Sequence, residues 1–175
     1  MDDQPTRLPV PDVDGAASGV REGEELAPQP GTVGELVHFD GSITRIDGGG
    51  RCVLGQVAAR DDTPYIVVRL LEGRIWNHAV PAAGGPSRYE LRVSGVVVAA
   101  RDATFTAVRR ADGSCLISVL DGQADVRAGA GSLPVPVGPF QTVTVSRHGD
   151  LGLVRTLTPD EVLRDSWLEA NRAFD

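Results

Sequence analysis

Few residues in this chain are of types that do chemistry. There are three histidines, His38, His78 and His148, and two cysteines, Cys52 and Cys115. His38 and His78 fall in strand-like runs, and His148 sits in a turn beside Gly149 and Asp150. None has a second His, Cys or carboxylate at ligand spacing along its strand, so the H-x-H signature of small-barrel metal sites is missing. Gly48-Gly49-Gly50 has the look of a phosphate loop, but the chain has no lysine and no helix follows to supply oriented N–H groups. Asp61-Asp62 and Glu24-Glu25 are adjacent carboxylates, whereas acid–base pairs are assembled from distant strands. Ser114-Cys115 lies in a hairpin strand, without the strand-to-helix elbow of a nucleophile. No catalytic, cofactor or metal role is therefore assigned, and the expectation is a protein that is not an enzyme.

Recognition is the better prospect. Trp76 beside Asn77 in a strand reads either as a sugar-stacking platform or, the favoured reading, as a core Trp packed between sheets. With Tyr89, Arg101 and Asp102 these residues make the candidate binding surface.

The elements that must position them are short apolar runs cut by turn dipeptides. Residues 1–18, rich in Pro, Asp and Gly without apolar periodicity, read as a flexible arm. From Gly19 the strands begin, and residues 19–157 read as one β domain. Asp40-Gly41 predicts a two-residue type I′ hairpin between 35–39 and 42–46. Tyr65–Glu72 is predicted as one strand, ended by Gly73, with 74–78 as the next. Arg88–Val93 and Val96–Ala100 flank Ser94-Gly95, Thr104–Arg109 and Ser114–Leu120 flank Ala111-Asp112-Gly113, and Asp121-Gly122 reads as another tight turn. Leu133–Val137, Gln141–Val145 and Leu151–Arg155 complete the set. About ten short strands are too many for one flat sheet, so the fold class is all-β, a two-sheet sandwich or a rolled, jelly-roll-like barrel.

Residues 158–175 differ. Thr158 can cap, Pro159 suits the first helical position, and Glu161 completes a capping box. Leu163, Trp167, Ala170 and Phe174 then share one face, predicting a C-terminal helix over about 159–172 packed on the β domain.

All 17 basic residues are arginine, a bias that points to GC-rich coding. The net charge of -7 and pI near 4.9 argue against sequence-independent nucleic-acid binding, which needs a basic face. The two cysteines match no zinc or redox spacing, and two free thiols or one disulfide both stay open. No signal peptide and no apolar run of bilayer length is evident. The chain as given therefore reads as soluble and cytoplasmic, or extracytoplasmic if an anchor was removed.

Several motifs, in order, resemble FecR-type domains of the actinobacterial type. Phe39-Asp40-Gly41-Ser42 with Thr44-Arg45 is similar to the family's FDGS-x-x-R hairpin, and Leu71 to Asn77 to its L-x-G-R-x-W strand. Tyr89–Arg92 with Val96–Ala100, Ala100–Phe105, and Val119–Val126 resemble the segments that follow, and Leu157–Glu161 with Asp165–Asn171 resembles the family's ending. Asp102-Ala103 stands where the family has Gly-Thr, so a turn that takes glycine there must admit aspartate in a left-handed conformation. The resemblance implies a non-enzymatic protein-interaction domain in envelope-linked regulation or assembly, with another protein as partner. The alternatives are a carbohydrate-binding module taking a glycan, or a structural subunit forming a homo-oligomer. No cofactor, nucleic acid or membrane span is implied.

Overall fold

The computed structural model describes residues 8–11, 17–60, 63–81, 88–129 and 131–164. Among these the chain is all-β with one short helix. The strands in order are β1 (Leu8–Pro11), β2 (Ala17–Val20), β3 (Glu25–Leu26), β4 (Val33–Val37), β5 (Ile43–Asp47), β6 (Arg51–Arg60) and β7 (Thr63–Ala79). They continue with β8 (Arg88–Val93), β9 (Val96–Arg109), β10 (Cys115–Ala128), β11 (Val135–Val137), β12 (Gln141–Val145) and β13 (Arg155–Thr156), before α1 (Pro159–Arg164). β1, inside the stretch expected as an arm, pairs antiparallel with β2, which starts there and runs on to Val20.

Three long strands shape the molecule. The first half of β7 lies between β6 and β8, and its second half between β5 and β9. The start of β9 pairs with β8 and the end of β10, while its later part pairs with β7 and the start of β10. Each strand thus serves one layer and then the other, the corner device of rolled sheets. One layer is ordered β3-β6-β7-β8-β9-β10-β11 and the other β4-β5-β7-β9-β10-β12-β13.

Side-chain alternation marks each crossing. Along β9, Val96, Val98 and Ala100 face the core; Arg101 and Asp102 are exposed; then Ala103, Phe105 and Ala107 face it. The inward set moves from even to odd numbers, which in a period-two element requires a change of face. β7 does the same between Leu70 and Ile75, and β10 between Val119 and Ala124, across two register shifts. Pairs of strands that the sequence presents as separate, 65–72 with 74–78 and 96–100 with 104–109, are therefore single bent strands. Asp121-Gly122 is the bend of β10 rather than a turn.

Turn chemistry elsewhere is local. Ser94 (φ 48°) and Gly95 (φ 80°) form a two-residue turn with both residues left-handed. At Asp40-Gly41 the turn is one residue longer than expected. His38 N donates to Ser42 O and Gly41 N to His38 O, leaving Phe39, Asp40 and Gly41 as a three-residue loop. The Asp40 carboxylate accepts from Ser42 N and Oγ, which favours this form.

At the C-terminus the capping box forms as expected. Glu161 N donates to Thr158 Oγ1, and Glu161 Oε2 accepts from Thr158 N. Arg155 holds the same carboxylate in a two-pronged pair, and its hydrogen bonds draw the Glu161 carboxyl down to about 2. The rest of the expected helix, with Trp167, Ala170 and Phe174, lies outside the described residues.

Candidate functional site

The five candidate binding residues do not form one surface. Trp76, Asn77 and Tyr89 are buried, whereas Arg101 and Asp102 are exposed at the β9 corner. Trp76 is not between the layers, because on β7 it faces opposite to Ile75 and Asn77. It packs with Leu120 and Ile43 in a small outer cluster, under the Arg45 guanidinium at 4.7 Å. Arg45 is held in turn by Glu35 at 2.6 Å. A ring only 1% exposed offers no face for a sugar to stack on.

Tyr89 and Asn77 belong to an interior relay that the sequence did not reveal. Tyr89 Oη donates to Asn77 Oδ1 at 2.5 Å, so it must accept from Thr44 Oγ1 at 2.6 Å. Thr44 Oγ1, having given its proton, accepts from His38 Nε2 at 2.8 Å. The relay ties β8 of one layer to β5 and β7 of the other. Tyr89 also meets His38 and Phe105 edge-on, at ring separations of 5.8 and 6.0 Å. With Nε2–H committed, a second proton on His38 would go to Nδ1, which is buried and has no hydrogen-bond partner. Burial accordingly lowers His38 to about 4. His38 is a neutral structural donor, His78 bonds Thr104 Oγ1 through Nδ1, and His148 is exposed in its turn. Among the described residues no group of three or more His, Cys, Asp or Glu could hold a metal ion.

Both cysteines are free and buried. Desolvation pushes each thiol up to about 12, which suppresses the thiolate that reacts. Native protein at pH 8 should therefore resist a thiol-specific disulfide reagent and release two equivalents in urea. Fast modification of either cysteine in the folded state would contradict the buried placement.

Arg101 and Asp102 form the accessible part of the candidate set. Asp102 is not left-handed, and the glycine-like conformation lies across the ladder at Gly122 (φ 70°). Asp102 can occupy its position because its partner strand supplies the unusual backbone.

A family model described as "FecR protein" matches residues 29–125, from just before β4 into β10 and over more than half of the chain. The chain belongs to the FecR family. This FecR chain is also similar to two crystal structures of a candidate anti-sigma factor from Parabacteroides distasonis. The TM-scores are 0.65 and 0.64, each at 18% identity over 83% of this chain. It covers 64% of the length of those chains, so the likeness is one of fold. No curated protein matches. No described helix is long and apolar enough to cross a membrane.

Proposed function

We propose that this FecR domain is a non-catalytic module that binds another protein in envelope-linked regulation. Family membership carries the reading, since the matched segment holds β7, β9 and most of β10, the three bent strands that shape the fold. The neighbours' description as a candidate anti-sigma factor supports regulation through a protein partner. The interior supports it as well. His38, Tyr89, Asn77 and both thiols are spent on packing and internal hydrogen bonds, which suits a scaffold presenting its outside. We place the contact at the exposed Arg101-Asp102 corner, where opposite charges side by side on a rigid bend can select a complementary partner.

The test is affinity capture from the native host at native expression level. Wild type is expected to recover one specific regulatory protein in near-stoichiometric amount. A charge-swapped R101D/D102R chain of unchanged melting temperature should lose at least tenfold of it. Recovery of no specific protein would sink the proposal, and equal recovery by the variant would sink the placement.

A further inference from the structure

A second site lies away from that corner. Where β7 leaves its first layer, a cleft of about 500 Å³ opens between Arg69, Leu70 and Leu71 of β7, the β8–β9 turn, and Arg109. That volume suits a small ligand or a short peptide. Three of the lining residues are arginines and none is acidic, in a chain whose net charge is -7.

The arginines are placed unfavourably for an empty surface. Arg69 and Arg92 are register neighbours on β7 and β8, so like charges stand side by side. Among the described residues Arg69 has no carboxylate partner. Arg92 donates from Nη2 to Glu90 Oε2 at 3.2 Å, while Arg88 holds Oε1 of the same carboxylate at 2.5 Å, so one carboxylate serves two arginines. Arg109 donates through Nη1 to Leu71 O, while its Nε is buried without a partner. Ser94 Oγ bonds Gly113 O at 2.9 Å, tying the rim to the next hairpin.

We infer that this cleft binds an acidic peptide segment, with carboxylates on Arg69 and Arg92 and an apolar side chain against the half-exposed Leu71 and Val97. Guanidinium forks match carboxylates in geometry as well as charge. The apolar wall favours a peptide over a bare anion. The inference stands apart from the Arg101-Asp102 reading, and different variants test each.

Isothermal titration of the full chain with acetyl-Glu-Leu-Glu-amide tests it, with melting curves confirming that each variant is folded. One-to-one binding is expected, weakened at least tenfold by R69E and by R92Q and unchanged by R21E, which alters net charge as much as R69E does. Absence of binding would overturn the site. Equal weakening by R21E would reduce it to general electrostatics, and displacement by an equal concentration of inorganic phosphate would overturn the peptide assignment.

Discussion

Gly122→Ala should cost about 3 kcal/mol or more, and should do so without removing a single packing contact. Gly122 has φ 70°, a region that costs an L-residue roughly 1–2 kcal/mol. An added Cβ would also stand 2.0 Å from Asp102 O and 2.8 Å from Ala103 Cα. Those are backbone atoms of the paired strand, so no side chain can swing aside. Overpacking of that kind costs typically ~1–3 kcal/mol. Urea denaturation reads the sum as a lower midpoint with an unchanged slope. A loss below 0.5 kcal/mol, by the general scale for surface substitutions, would mean that the crossing is looser than its geometry.

Acidification should destabilise the domain through His38. Its folded value of about 4 lies below the ordinary 6.5, so the unfolded chain binds this proton first as pH falls. The stability due to His38 is complete above pH 6.5 and is lost progressively toward pH 4, where the folded form also protonates. At about 1.36 kcal/mol per unit of difference, the loss between pH 7 and pH 5 is about 2 kcal/mol. A His38→Gln chain, less stable at pH 7, should lack this component. Parallel pH curves for the two proteins in urea would remove His38 as its source.

The sequence made the fold class legible because its clearest signals are local. Asp40-Gly41, Asp112-Gly113 and the Thr158–Glu161 box act over a few residues, and they mark two hairpins and a helix start. The corners were harder. Gly73 and Asp121-Gly122 carry the letters of a turn, yet the chain continues as strand through both, because neighbours on either side take up the backbone groups. A change of inward parity, as from Val98 and Ala100 to Ala103 and Phe105, was the available sign. The candidate site was the least legible. Trp76 and Asn77 are adjacent in sequence but face opposite sides of a strand, so one cannot predict the other's exposure. The His38–Thr44–Tyr89–Asn77 relay joins residues up to 51 positions apart, as 89 − 38 gives, and no spacing rule brings them together.

Because β7, β9 and β10 each belong to both layers, neither layer can peel away while the other stays intact. Tension that reaches β7, β9 or β10 meets strands that are clamped on both flanks, so it would be shared rather than released hairpin by hairpin. Such a body would behave as a stiff coupling that passes displacement along instead of absorbing it.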